Sequence, residues 1–487
     1  MTAEKDKLPA TNPFIVGYKD YLSPFTYRYG SNAMRGIWSQ ENFWLTARDV
    51  WIVVAQTQQE AGLVTQEQVE DLEDHRDEIF VERIWQLERH PTLGTGHDVA
   101  AAIAEFAEAA PRGGEILHQG LTSEDNLSNV ETLLIRQSFE LIRERVVSTL
   151  KAFGEKIDQY KDLVCIGATH LQAAEPTTMG YRFAKYAQDL LVDLKLLDFV
   201  KANLKAKGIK GAVGTSASFK ELLEGTGMSV EEHERKIMEK LGLEAVLVSD
   251  QTYPRKYLLL TEVVLANIGQ SLHRFALDLQ ILQSSFVDEV FEPRRKGQIG
   301  SSAMPHKQNP IQSENIDSLT EMMPGSLFSS WMVSAFVTLE RTLRDSAGKR
   351  SWLPESFLII DEALIRVERI VNGLSIHENS VRRNLEKFAP FSATEIILSK
   401  LSKAGMPRQE AHAILVEHAE KAVEAVRSGQ ANPMRELLLG DRRIVLALGK
   451  KQIEKAFEEI FHHVGNAPER CTEFLKVLEK ELNPQSE

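Results

Sequence analysis

The chain has 487 residues, 43% of them apolar and 26% charged, with 57 Lys and Arg against 70 Asp and Glu for a net charge of −13. This composition excludes a disordered chain, and the acidic balance excludes a surface built to neutralise the phosphates of nucleic acid or an anionic membrane. A length near three times the usual ~150 residues per domain suggests about three domains. Only Cys165 and Cys471 occur, far apart and without a CxxC or Cys/His ligand spacing, so no structural zinc is expected.

The N-terminal run Met1-Thr-Ala-Glu-Lys-Asp-Lys-Leu-Pro-Ala10 has no apolar core of a secretory signal, and sparse cysteine fits a reducing compartment. A cytoplasmic protein is expected. No proline falls between Pro111 and Pro176, Pro176 and Pro254, or Pro254 and Pro293, which permits long helices through the middle of the chain. Phe183, Ala187, Leu190, Leu194 and Leu197 form one apolar seam. Leu265, Ile268, Leu272, Phe275, Leu279, Leu282 and Phe286 form another. Spacings of three and four predict packed helices. A helix over residues 255–292 would run about 57 Å, so its partners should be other long helices.

Val246-Leu247-Val248 is a short strand-like run, and no longer alternation follows it. Residues 322–339 carry no charge but include Pro324, Gly325 and four serines, which predicts a buried core helix rather than a membrane span. Gly and Pro mark loops at residues 91–96, 111–114, 208–214, 292–310, 428–433 and 465–468. Beyond about Asn372, Pro390, Pro407 and Pro433 separate shorter periodic segments, as in a small helical domain. The reading is an all-α protein divided at residues 1–121, 122–375 and 376–487.

No HExxH, GxxxxGK[ST] or GxSxG motif occurs. Gly208-Ile-Lys-Gly-Ala-Val-Gly-Thr215 has backbone N–H groups to offer an anion, but a flexible connector is the expectation. One loop carries more: Gly300-Ser-Ser-Ala-Met-Pro-His-Lys-Gln-Asn-Pro310, after the basic run Arg294-Arg295-Lys296. It brings a hydroxyl, a fixed positive charge and an amide donor within a few residues. Those groups suit a carboxylate-bearing substrate that loses the proton beside its carboxylate, because donors aimed at the aci-carboxylate lower the barrier.

This loop resembles the GSSxMPxKxNP signature of the fumarase/aspartase superfamily. Within that superfamily, six further segments resemble the adenylosuccinate lyase family, in its order. They are Ser23-Pro-Phe-Thr-Tyr-Arg-Tyr-Gly-Ser31, Gly96-His-Asp-Val99, His118-Gln-Gly-Leu-Thr-Ser123, Thr169-His-Leu-Gln-Ala-Ala-Glu-Pro-Thr-Thr178, Gln251-Thr-Tyr-Pro-Arg-Lys256 and Glu340-Arg-Thr-Leu-Arg-Asp-Ser346. The resemblance implies an all-α fumarase/aspartase-like fold of three helical domains, whose central long-helix bundle forms a homotetrameric core. It implies sites shared between three subunits and no metal or redox cofactor. The implied activity is release of fumarate from adenylosuccinate and from the succinylated carboxamide ribotide SAICAR, with no nucleic-acid or membrane partner. Argininosuccinate lyase, another fumarate-releasing lyase, and a non-catalytic structural protein on the same scaffold stay as rivals.

The resemblance also assigns roles. His170 would be the general acid, oriented by Glu314, and Ser301 the general base, with Ser302 a competitor that spacing does not separate. A serine base needs its pKa lowered by Lys307 or by backbone N–H groups, whereas an imidazole can hand a proton to the leaving nitrogen at neutral pH. His97 would help hold the substrate. Lys307 and Asn309 would bind succinyl carboxylates, with Thr122, Ser123 and Thr169 contributing hydroxyls and Gln251 an amide. Arg28 and Tyr29 would contact the nucleotide, and Arg341, Ser346 and Arg350 would bind phosphate and carboxylate, Ser346 and Arg350 sharing a helix face. Read without the resemblance, His170 is a packed histidine before a helix start, Glu314 a surface glutamate, and Arg344 and Lys349 a solvated face. Gln308 stands where many relatives carry Arg, and Glu124-Asp-Asn-Leu-Ser-Asn129 is more acidic than the family pattern.

Overall fold

A computed structural model describes residues 20–92, 94–294, 297 and 304–483. Serine-capped α1 (Asn32–Ile37) and α2 (Gln40–Glu60) come first, then α3 (Gln66–Asp74), α4 (Val81–Arg89) and α5 (Asp98–Ala109). Thr65 and Gln68 close a capping box on α3, each side chain satisfying the other's backbone N–H. Next come the long α6 (Ser123–Tyr160), a hairpin of β1 (Val164–Thr169) and β2 (Gln172–Thr178), and α7 (Met179–Ala202). The chain continues through α8 (Ala217–Leu222), α9 (Val230–Leu241), α10 (Lys256–Gln283), the two-residue β3 (Val290–Phe291), α11 (Ile311–Thr320), α12 (Met323–Ala335) and α13 (Ser346–Gly373). After β4 (Ser375–Ile376), which pairs antiparallel with β3, it ends in α14 (Glu378–Lys403), α15 (Arg408–Arg427), α16 (Met434–Gly440), α17 (Arg442–Leu448), α18 (Lys450–Glu459) and α19 (Ala467–Leu482).

The described chain divides into two compact units. The first takes residues up to Arg145, Lys195–Gly269 and Thr320–Ala363; the second takes Val146–Leu194, Gln270–Leu319 and everything from Leu364 on. An apolar cluster in the first unit packs Trp44, Trp51, Ile84, Phe106, Leu134, Phe219 and Ile237 from α2, α4, α5, α6, α8 and α9. Side chains of this size stabilise by roughly 1.5–3 kcal/mol each when fully buried. In the second unit, Ala389, Ile397, Ile414, Leu438 and Ile453 form the core of the C-terminal helices, with Ile166 of β1 packed against them.

Both seams are helical and largely buried. All five α7 positions are buried, as are Leu265 to Leu279 of α10, where Phe275 meets Phe153 edge-on at 5.2 Å. However, α10 is 28 residues long, about 42 Å. It stops at Gln283 because the Ser284 hydroxyl bonds the Ile281 carbonyl at 2.7 Å and the chain turns through a left-handed Asp288, so Phe286 is 97% exposed instead of closing the seam.

Four further expectations are corrected. Val246–Val248 forms no strand; Ala245 makes a single bridge to Ala206, and Leu247 and Val248 are exposed. The segment at residues 322–339 is helical as α12 but not buried: Phe328, Trp331, Met332 and Phe336 stay exposed. Pro390 does not end a segment, since α14 runs through it on the buried Leu385, Ala389, Ala393 and Ile397. Finally, the Gly208 segment is pinned and buried rather than flexible, as its contacts below show. Among the described residues, no helix is long and apolar enough to cross a membrane.

Candidate active site

The first unit holds a cleft of about 150 Å³ lined by the starts of α2, α5 and α13 and by one face of α6. Its floor is a buried charge network. Asp345, just before α13, meets Arg255 at 2.5 Å and Arg341 at 3.3 Å. Glu131 of α6 meets Lys349 at 2.8 Å and accepts a 2.5 Å hydrogen bond from the Tyr253 hydroxyl. Glu124 takes Arg341 at 2.9 Å and the Ser128 hydroxyl at 2.6 Å. Burial pushes the Glu131 and Asp345 carboxyls up, but the cations around them outweigh it and hold both below the usual carboxylate range. Burial also opposes the charge on Arg255, and Tyr253, Glu131 and Asp345 together more than restore it. Removing one member would strand a buried charge, so the cluster is fixed as a unit.

Three of the predicted binding segments converge here. Arg341, Ser346 and Arg350 all line the cleft; Ser346 opens α13, and Arg350 follows one turn later and pairs with Asp98 of α5 at 2.5 Å. Gln251 donates its side-chain amide to the Thr122 hydroxyl at 3.3 Å and its backbone N–H to the Glu340 carbonyl at 3.1 Å. That ties its segment both to the start of α6, where Ser123 sits, and to the Arg341 strip. Lys349 lines the same cleft and is only 14% exposed, which corrects its reading as a solvated residue; spacing hid this because its partner Glu131 lies on another helix.

The segment that carries Arg28 and Tyr29 is tied to α13 through the two residues that follow them. The Gly30 and Ser31 N–H groups donate to Glu362 at 3.0 Å and Asp361 at 2.6 Å. Gly30, at φ +80°, lies so close to Leu358 that a Cβ would approach it to 2.5 Å, a position only glycine fills. The Arg28 Nε donates to the Tyr29 hydroxyl at 3.3 Å. His97 caps the start of α5 with its side chain 54% exposed, and its Nδ1 lies 3.3 Å from Asp98.

Asp125 explains both the acidic run and the glycine-rich segment. Its carboxylate accepts the Lys207 ammonium at 2.6 Å, the Lys210 N–H at 2.9 Å, the Gly211 N–H at 3.1 Å and the Thr122 N–H at 2.8 Å. Asn129 both donates to and accepts from the Gly208 backbone. The anion that those backbone N–H groups cradle is the protein's own. Burial lowers the Lys207 pKa, and Asp125 works against that shift.

The second unit carries the other predicted residues. His170 does not precede a helix: with Leu171 it forms the two-residue turn of the β1–β2 hairpin, at φ +53° and +58°, left-handed values that suit Asn-Gly and are strained for these side chains. Thr169 pairs with Gln172 beside it, and Thr169, His170 and Leu171 are exposed. A register shift after Ile166 is accommodated by Gly167, where a Cβ would meet the Glu175 carbonyl at 2.8 Å. Lys307 is exposed and Asn309 half-buried, and Glu314 is exposed in the first turn of α11. Among the described residues, no hydrogen bond or ion pair joins His170 to Glu314. Ser301 and Ser302 lie outside the described residues.

Two residues that the sequence reading missed hold this end of the signature segment. Glu292 accepts the Gln312 and Ser313 N–H groups at 3.0 and 3.1 Å, capping α11, and burial raises its pKa against those bonds. Gln283 donates to the Gln308 carbonyl at 3.1 Å. No local signal marks Glu292, because the N–H groups it accepts lie 20 and 21 residues further along the chain. Among the described residues, no group of three or more His, Cys, Asp or Glu side chains is arranged to hold a metal ion.

Residues 26–325 match the family model described as lyase, and residues 390–474 match that of the adenylosuccinate lyase C-terminus. The chain is 35% identical over 429 residues to the adenylosuccinate lyase of Schistosoma mansoni, covering 87% of this chain and 88% of that one. It is 33% identical over 476 residues to that of Saccharomyces cerevisiae, covering 96% of each. Among solved structures it resembles a fumarate lyase from Mesorhizobium sp. BNC1, with a TM-score of 0.80, 22% identity, and 92% of this chain and 98% of that chain covered. A 3-carboxy-cis,cis-muconate lactonizing enzyme from Pseudomonas putida gives 0.80 at 21% identity, over 94% and 99%. These likenesses identify the fold as all-α and fumarase/aspartase-like.

Proposed function

The chain belongs to the adenylosuccinate lyase family, and we propose that it eliminates fumarate from adenylosuccinate to leave AMP, and from SAICAR to leave AICAR. The observation that carries this reading is the cleft lined by Arg341, Ser346 and Arg350, with Gln251 and Thr122 hydrogen-bonded to each other and Gln251 tied to the backbone beside Arg341. A planar guanidinium donates two parallel hydrogen bonds to a phosphate or carboxylate, so an acidic protein can still hold an anionic nucleotide where such groups converge.

In the reaction proposed, the Ser301 oxygen takes the proton from the carbon beside the succinyl carboxylate. The electron pair forms the double bond of fumarate as the C–N bond breaks, and His170 gives the leaving nitrogen its proton. Lys307 and Asn309 hold the aci-carboxylate charge, Thr122, Ser123 and Thr169 add hydroxyl donors, and His97 steadies the substrate. Arg28, Tyr29, Arg341, Ser346 and Arg350 grip the nucleotide. Glu314 would orient His170 across a subunit boundary.

A homotetramer with sites shared between three subunits belongs to the same reading. Its support is the apolar face of α12, with Phe328, Trp331, Met332 and Phe336 exposed in the single chain; exposed apolar patches of this kind mark association surfaces. The three-domain division at residues 1–121, 122–375 and 376–487 stands as part of the proposal. So does a cytoplasmic location, for which the two buried free thiols speak.

The test is the ultraviolet change on adding adenylosuccinate, with fumarate assayed in parallel and argininosuccinate as the competing substrate. Ser301→Ala should lower turnover by at least ~10²-fold while nucleotide binding persists. Near-normal turnover in that variant, with loss in Ser302→Ala, would move the base to Ser302. Fumarate from argininosuccinate alone would overturn the assignment.

A further inference from the structure

Asp98 touches both the proposed anion grip, at Arg350, and the proposed substrate histidine, His97. It is the first residue of the 12-residue α5, where the helix dipole favours a carboxylate. Its Oδ1 accepts the Val99 N–H at 2.8 Å and lies 3.3 Å from His97 Nδ1. Its Oδ2 accepts from Arg350 Nη2 at 2.5 Å. The carboxylate is therefore fixed by its own helix, with its side chain 16% exposed, while its partner Arg350 is 61% exposed.

An exposed ion pair of this kind adds little to stability. Its effect falls on the flexible partner: a long arginine side chain loses rotamer freedom when it grips an anion, and an arginine already ordered has less to lose. A guanidinium has five N–H donors. The one given to Asp98 leaves the rest of the fork in the cleft that Arg341, Ser346 and Lys349 share.

We propose that Asp98 is a positioning residue: it presets the Arg350 fork for the phosphate of the nucleotide and, through its second oxygen, sets the His97 ring from the same point. The inference rests on the proposed reading of the cleft as a nucleotide-phosphate site. Asp98 thereby links the two ends of the substrate site without itself taking part in the elimination.

The experiment is calorimetric titration of the full-length protein with AMP and, separately, with adenosine, which lacks the phosphate. The proteins are the parent, Asp98→Asn, Asp98→Glu, Arg350→Ala and the Asp98→Asn/Arg350→Ala double variant, each checked for an unchanged melt. Asp98→Asn should weaken AMP by about threefold to tenfold and adenosine by less than twofold. Asp98→Glu should recover part of the loss, and the double variant should bind AMP no more weakly than Arg350→Ala, because the carboxylate acts through the arginine. Equal weakening of AMP and adenosine, or losses that multiply in the double variant, overturns the positioning role. A parent protein that binds AMP no better than adenosine refutes the phosphate site itself, and the inference with it; that outcome is distinct from a failure of Asp98 alone.

Discussion

The charged cleft of the first unit and the hairpin tip of the second are built on opposite terms. In the cleft, Arg255, Arg341, Lys349 and Arg350 each meet a carboxylate, and the inner members are buried. At the tip, His170 and Thr169 are exposed, and the turn residues take left-handed backbone values that their side chains disfavour. A grip for anions must be rigid before its ligand arrives, since ordering cations afterwards costs affinity. A side chain proposed as a proton donor, as His170 is, must instead be reachable by a reacting atom, and local strain is tolerated where the surrounding strands enforce it.

The contrast breaks most sharply at His170. His170→Gln should lower kcat by about 10²- to 10⁴-fold, the usual size of a lost general acid, with the melting temperature unchanged, because an exposed turn side chain contributes little to stability. A fall of several degrees in the melt alongside the activity loss would show that the tip is held by its histidine and that the contrast is false.

The cleft should behave in the reverse way. Asp345→Ala leaves the buried Arg255 short of its nearest carboxylate and should cost about 3–5 kcal/mol in urea unfolding. A loss under ~1 kcal/mol would mean that the network is solvated and not preset.

The smallest effect sharpens the comparison inside the first unit. Glu262 of α10 is fully buried, and burial, only partly offset by the Ser356 hydroxyl, pushes its carboxyl up to about 8. An unfolded glutamate titrates near 4.3. The folded state thus keeps a proton that the unfolded chain releases, so this contribution to stability is complete below about pH 4.3 and is lost as pH rises to about 8. Linkage alone is worth about 4–5 kcal/mol at pH 8 and about 1 kcal/mol at pH 5, and burying an amide in place of the acid takes back about 1–3 kcal/mol at either pH. Glu262→Gln should therefore gain about 1–3 kcal/mol over the parent at pH 8 and nothing at pH 5. A gain of the same size at both pH values would show the carboxyl to be ionised in the fold.

Much of this was legible along the chain. The seams at Phe183–Leu197 spacing and from Leu265 to Leu279 are helical because period alone determines which face is apolar, and the presence of Ser346 and Arg350 on the same cleft-lining side of α13 followed from helical geometry. The His170 hairpin was hidden because β1 and β2 lack the alternation that marks a strand, and a His-Leu turn carries no glycine to announce left-handed backbone. The network around Asp345 was hidden for a different reason: its members Glu131, Arg255 and Lys349 lie on separate elements, and no spacing rule joins them.

Sequence alone determined the helical class, the family and the identities of the groups proposed for the chemistry, because those are carried by residue type, period and short contiguous motifs. Tertiary structure decided which charges are neutralised, that His97 and His170 are exposed, and that the glycine-rich segment cradles Asp125 instead of a ligand. Electrostatic environment depends on what the fold brings within a few ångströms, and in this chain those neighbours lie tens to hundreds of residues apart.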